Sequence, residues 1–114
     1  MIGLIKTDGK LSCTMESGKL IIKLKGEIDH HSAQTLRQSA DELIYRYRPI
    51  SVVLDLSEID FMDSSGLGFI MGRYALQKKL GGSVTVKDPN VRIRKIIALA
   101  GLERIIKIER TSEQ

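Results

Sequence analysis

Hydrophobic and polar positions change period along this chain, and each change marks an element. Leu11, Cys13 and Met15 alternate with Ser12 and Thr14, the two-residue period of a half-buried strand. Leu20, Ile22 and Leu24 alternate again, and Glu16-Ser17-Gly18 supplies a turn between the two runs, so they predict an antiparallel hairpin that Gly26 ends. The period then lengthens. Leu36, Ala40, Leu43, Ile44 and Tyr47 recur at helical spacing, behind the capping cluster Asp29-His30-His31-Ser32 and ahead of Pro49, which cannot continue a helix. Residues 51–56 form an unbroken apolar run, as expected of a central strand covered by helices. A second helix opens near Ser64 or Ser65, carries Leu67, Ile70, Met71 and Tyr74 as its buried stripe, and ends at Gly81-Gly82. Residues 83–87 read as a short strand. Asn90 caps a third helix with Ile93, Ile96, Ile97 and Ala100 on its inner face, Gly101 terminates it, and residues 105–108 read as a last strand. Residues 1–10 read as an N-terminal extension and residues 111–114 as a frayed tail.

The predicted order is β-β-α-β-α-β-α-β: an α/β fold with a mostly parallel central sheet, an N-terminal hairpin and three to four helices. With 114 residues, one domain over 1–114 is expected. Ligands of such sheets gather beyond the carboxyl ends of the strands, which here means the loops at 26–32 and 58–64. Trp is absent and aromatics are few, so Ile, Leu, Val and Met must build the core. The single cysteine, Cys13, allows no internal disulfide and reads as a small buried hydrophobe in a cytoplasmic setting. No apolar run approaches the ~18 residues of a spanning helix, and residues 1–10 show no secretory pattern. The net charge is +4, with cations grouped at 92–95 and 104–110. A mildly basic surface could meet an acidic partner or nucleic acid, but without a block of like charges these groups read first as solvated faces of two elements.

Residues 60–72, Asp-Phe-Met-Asp-Ser-Ser-Gly-Leu-Gly-Phe-Ile-Met-Gly, carry the most chemistry. Ser64 and Ser65 fall where a helix begins, and the first N–H groups of a helix accept hydroxyl oxygens, carboxylates or phosphate. Either serine is a plain cap or a switch for a kinase. A serine hydrolase would need a base and its orienting group; only His30 and His31 are available, and Gly-x-Ser-x-Gly is missing. A nucleotide cradle would use Gly66-Leu67-Gly68, but Gly72 comes one residue late for a dinucleotide fingerprint. The simpler role for Gly66, Gly68 and Gly72 is close approach of another backbone. Gly68 and Gly72, at i and i+4, also leave a shallow strip that suits a partner. His30 and His31 with one cysteine do not make a metal site. Asp29 and Asp63 are expected at the same sheet edge, either as helix caps or as neighbours ordering a phosphoacceptor loop.

The segments Gly26-Glu27-Ile28-Asp29-His30-His31 and Phe61-Met62-Asp63-Ser64-Ser65-Gly66-Leu67-Gly68 resemble the two signature stretches of STAS domains, the family of the anti-sigma factor antagonists. The continuation through Gly72-Arg73-Tyr74 and the ending Ala100-Gly101-Leu102 to Ile105-Ile106 resemble the sporulation, anti-sigma-F branch, so the likeness covers nearly the whole chain. It implies a regulator and not an enzyme. The unphosphorylated domain would bind an anti-sigma factor that is also a serine kinase, loaded with ATP or ADP, and so free a sigma factor. That kinase would phosphorylate Ser64, and a serine phosphatase would reset it. Asp29 matches an acidic position beside the phosphoacceptor; Asp63, Ser65, Gly66, Leu67, Gly68 and Gly72 complete the expected docking environment. No cofactor is implied. The basic segment at 92–95 departs from the pattern, and the general-stress branch shares the same motif, so two sigma pathways stay open.

Overall fold

The computed structural model describes residues 2–111, with side chains from residue 9 onward. Six strands form one sheet in chain order: β1 (Ile2–Asp8), β2 (Leu11–Glu16), β3 (Lys19–Ile28), β4 (Ser51–Met62), β5 (Ser83–Lys87) and β6 (Lys107–Glu109). The first three strands pair antiparallel, and β3 through β6 pair parallel. The helices α1 (His30–Tyr47), α2 (Ser64–Lys79) and α3 (Val91–Leu99) occupy the three parallel crossovers. Because each crossover moves the chain one strand in the same direction, right-handed connections place all three helices on one face.

Register sorts the faces. Cys13, Ile22, Leu54, Val86 and Ile108 stand side by side across five strands, and all but the half-buried Ile108 are buried. The neighbouring row on the opposite face is Ser12, Lys23, Asp55, Lys87 and Glu109, with charges of alternating sign. The central strand is therefore covered by helices on one side only. Val53, buried at 7%, lies outside the main core cluster, and the Asp55 carboxylate folds back to accept the Ser57 N–H at 2.9 Å.

The predicted order from β2 onward matches the structure, and the differences have physical causes. β1 was missed because the pairing slips between Leu4 and Lys6, so Leu4-Ile5 interrupts the two-residue period. β3 does not stop at Gly26. That glycine adopts φ +92°, a left-handed conformation open to residues without a Cβ, and the strand resumes with a register shift. Residues 58–62 likewise continue β4, so the two expected loops are paired strand ends.

On α2 the buried face is Gly66, Phe69, Ile70, Arg73 and Gln77, while Leu67 and Tyr74 are half-buried and Met71 is 48% exposed. This helix has apolar residues on both sides, so periodicity alone did not fix its rotation. Arg73 is tolerated inside because its Nε lies 2.8 Å from Asp41 Oδ1 of α1, over the Phe69 ring. Gln77 donates to the carbonyls of Pro49 and Ser83. α3 buries Ile93 and Ile97 as expected, but Ala100 is exposed. After Gly101, Leu102–Arg104 tightens into a 3-10 turn, so the last strand starts at Lys107, leaving Ile106 buried and Ile105 half exposed. Thr111 is tied by its N–H and hydroxyl to Asp88, whose carboxyl these bonds hold below the usual range. The rest of the expected frayed tail, residues 112–114, lies outside the described residues.

Candidate functional site

Parallel pairing of β3 with β4 brings the two signature stretches together. Ile28 faces Met62 at the strand ends, and the Asp63 N–H donates to the Ile28 carbonyl at 3.3 Å. The next residue of each strand is an aspartate, and each aspartate is the N-cap of a helix. Asp29 Oδ1 accepts the N–H groups of Ser32 at 2.9 Å and His31 at 3.1 Å, and Ser32 Oγ accepts the Asp29 N–H in return, a reciprocal box. These bonds, that from Ser32 foremost, hold the Asp29 carboxyl below its usual range. Asp63 Oδ1 accepts the Ser65 N–H at 2.8 Å, and the Gly66 N–H donates to the Asp63 carbonyl at 2.9 Å.

Ser64 is the first residue of α2 and is exposed. Its hydroxyl forms no hydrogen bond among the described residues, because Asp63 already satisfies the helix start. Ser65 was expected to serve that start through its hydroxyl; instead it contributes its backbone N–H, and its side chain borders a groove between α1 and α2. Ala33, Gln34 and Arg37 form the α1 wall of that groove, with Gly68 and Phe69 opposite.

The glycines divide by role. A Cβ on Gly66 would stand 1.9 Å from Met62 Cγ, so this glycine fits against a buried side chain. A Cβ on Gly68 or Gly72 would meet nothing within 4 Å, so neither serves packing inside the chain. Ser64, Gly68, Met71 and Ala75 follow one another along the exposed side of α2, an outward stripe without charge. Phe61, 46% exposed, is the penultimate residue of β4, three positions before Ser64. Phe61 and Met71 are members of this surface that the sequence reading did not single out. A large apolar residue at the sheet edge, out of phase with the core, was the available signal for Phe61. Met71 had been assigned inward.

Carboxylates dominate this rim. Residues 26–34 and 57–68 hold five of them, Glu27, Asp29, Glu58, Asp60 and Asp63, and no Lys or Arg, while Glu58 is paired with Lys23 at 3.0 Å and Arg37 stands on the α1 wall of the groove. Among the described residues no group of His, Cys, Asp and Glu could hold a metal ion. The site offers a free hydroxyl at a helix start, a capped acidic surround and an uncharged stripe leading away.

Residues 10–114 match the model of the STAS domain. The chain is 43% identical to the anti-sigma F factor antagonist of Paenibacillus polymyxa over 91 residues, 80% of this chain and 78% of that protein. It is 33% identical to the anti-sigma-B factor antagonist of Bacillus subtilis strain 168, over 81% of this chain and 83% of that one. Its fold is similar to a solved structure of the anti-sigma factor antagonist SpoIIAA in its unphosphorylated form, with a TM-score of 0.73, 23% identity and coverage of 99% of this chain and 90% of the other.

Proposed function

The chain belongs to the STAS domain family, and on that premise we propose that it is an anti-sigma factor antagonist of the sigma-F, sporulation type, switched off by phosphorylation of Ser64. The unphosphorylated form binds an anti-sigma factor that is also a serine kinase, carrying ATP or ADP, and thereby frees the sigma factor; a serine phosphatase restores it. The setting is cytoplasmic, and among the described residues no helix is long and apolar enough to cross a membrane.

One observation carries the proposal. The Ser64 hydroxyl is exposed and uncommitted, while the start of α2 is held by Asp63. A phosphoryl group placed there adds about −1.5 to −2 charge without removing a bond that the fold uses. The helix N-terminus tolerates that charge. A docked partner does not, because the added charge would be buried beside Asp29 and Asp63, whose carboxylates already stand at the two helix starts. Burying a further dianion costs several kcal/mol unless more cations are supplied. The domain stays folded and its docking fails, a local change of charge with a binding readout.

Incubation with the cognate kinase and ATP, read by intact mass, tests the assignment. The wild-type chain gains one phosphate, and Ser64→Ala gains none while still binding the kinase. Ser64→Asp binds weakly, whereas Ser64→Gln, of similar bulk and neutral, binds better than Ser64→Asp. Phosphate retained by Ser64→Ala would move the switch to Ser65. Equal capture of the kinase by phosphorylated and unmodified protein would end the proposal. A general-stress, sigma-B pathway is the second reading, favoured by the 33% identity to the Bacillus subtilis anti-sigma-B factor antagonist. Nucleotide or ester turnover by the isolated protein would instead point to a hydrolytic or nucleotide-binding loop.

A further inference from the structure

The net charge of the chain is not spread over its surface. Residues 91–110 hold six cations and two carboxylates, a surplus of four equal to the net charge of +4 of the whole chain; the remaining residues hold twelve of each. The two carboxylates are engaged. Glu103 faces Arg94 at 3.5 Å, and Glu109 faces Lys107 at 3.8 Å. Arg92, Lys95 and Arg104 form no ion pair among the described residues.

Apolar side chains stand among these cations. α3 turns Ile93 and Ile97 into the core, so Val91, Lys95 and Leu99, at i, i+4 and i+8, line its outer side. Val91 and Leu99 are each 83% exposed, the highest values among the exposed large hydrophobic residues, and Ile105 is 50% exposed. Between α3 and the segment around Glu103 and Arg110 lies a hollow of about 390 Å³, lined also by Arg94 and Lys95. Val91 and Lys95 border this hollow, and Leu99, Ile105, Arg92 and Arg104 lie outside its lining; aliphatic groups set among uncommitted cations beside a concavity form a recognition surface.

We propose that α3 and the segment through β6 form a second docking surface, for an acidic segment of a protein partner anchored by aliphatic side chains. Charge complementarity selects the occupant. A second copy docked face to face would set the same surplus of cations against itself, and head-to-tail docking through the carboxylates around Ser64 would show as self-association of the free chain and overturn the assignment. A bilayer would meet a concave surface, and residues 91–110 contain none of the aromatic side chains that anchor proteins at membrane interfaces. A nucleic acid would satisfy the cations but leave Val91 and Leu99 in water. This surface is built from other residues than the rim around Ser64 and has the opposite charge, so the inference does not depend on the switch, although the Asn90 cap of α3 donates to the Ile59 carbonyl at 3.3 Å.

The test is an NMR titration of the ¹⁵N-labelled full chain with a short synthetic peptide of glutamates punctuated by leucines. Amide shifts are expected to be confined to residues 91–110, with affinity falling as salt rises. Arg92→Glu with Lys95→Glu should weaken binding about tenfold or more, and Leu99→Ser several-fold. All three positions are exposed, so amide dispersion should be kept. Arg92→Gln with Lys95→Gln replaces the reversal if that variant unfolds, and a smaller loss in the same direction is then expected. Absence of shifts at millimolar peptide, or shifts centred elsewhere, overturns the proposal. So does equal affinity for plain polyglutamate, which would make the surface a general polyanion patch. Cosedimentation with phosphatidylserine vesicles would assign the surface to a membrane instead.

Discussion

Replacing both Gly68 and Gly72 by alanine should make the domain more stable and a poorer partner at once. Both lie inside α2, neither has positive φ, and an added Cβ meets no atom within 4 Å at either position. Alanine therefore brings no clash within the chain and removes the entropic cost of glycine in a helix. Each exchange is worth about 0.5–1 kcal/mol. The pair should add about 1–2 kcal/mol, raising Tm by roughly 4–8 °C for a domain of this size. The same two methyl groups would project from the uncharged outer stripe of α2. A partner shaped to a bare backbone would have to withdraw, losing contacts of about 1–3 kcal/mol. That corresponds to an affinity about five- to 150-fold lower. Thermal melts give the first quantity, and isothermal titration with the anti-sigma kinase gives the second. A double variant that melts lower would show that the open strip is not open. One that melts higher and binds unchanged would remove Gly68 and Gly72 from the docking surface.

Gly66→Ala should do the opposite inside the protein, because its Cβ would overlap the buried Met62 side chain. A loss of about 1–2 kcal/mol is expected in urea melts, largely recovered in the Gly66→Ala/Met62→Ala double variant relative to Met62→Ala alone; no recovery would refute the clash. The Asp41–Arg73 pair should respond unequally, since Arg73 is 4% exposed and Asp41 33%. Asp41→Asn leaves a buried guanidinium with a weak partner and should cost about 2–4 kcal/mol, whereas Arg73→Met leaves a carboxylate that water can reach and should cost less; reversal of that order in denaturant midpoints would contradict the geometry. The Asp29 carboxyl is held low chiefly by the Ser32 N–H. A folded-state pKa below the unfolded one means that its contribution is present above the ordinary carboxylate range and is lost as pH falls through the folded value. A carboxyl titration by NMR should give a midpoint below that of an exposed aspartate, and the loss on acidification should shrink in Asp29→Asn; a midpoint at or above the ordinary value would count against the box.

How much of this was legible depended on whether periodicity had a single interpretation. β2 and β3 alternate cleanly, and α1 has one apolar face with charge opposite, so their inward sides were read correctly. α2 failed that condition. Its outer side carries Gly68, Met71, Gly72 and Ala75 where a solvated helix would carry charge, so the stripe was assigned one step out of phase. The error had a cause linked to the site: a helix face kept free of charge is what a docking surface requires. Arg73 was missed for a related reason. A buried guanidinium needs Asp41, which is 32 positions away, and no local pattern announces such a pair. The signature stretches were easy to find as sequence, but their juxtaposition rests on the parallel register of β3 and β4. The continuation of the first stretch as a strand passes through Gly26 at φ +92°.

That register also bears on how the proposed switch could act on a rigid surface. Two adjacent strands end in aspartates, and each aspartate spends an oxygen on the N–H groups of its own helix. The caps fix the two helix starts side by side, about one strand spacing apart, so the docking rim is formed before any partner arrives. Ser64 follows the second of these caps as the first residue of α2, and its hydroxyl holds neither helix start. Had its hydroxyl been the cap, as serine often is at a helix start, phosphorylation would have altered a bond the helix depends on. Asp63 takes that role, and the hydroxyl is left with no structural duty. If Ser64 is the phosphoacceptor proposed above, separating the group that builds the rim from the group that is modified would let the charge change while the shape persists.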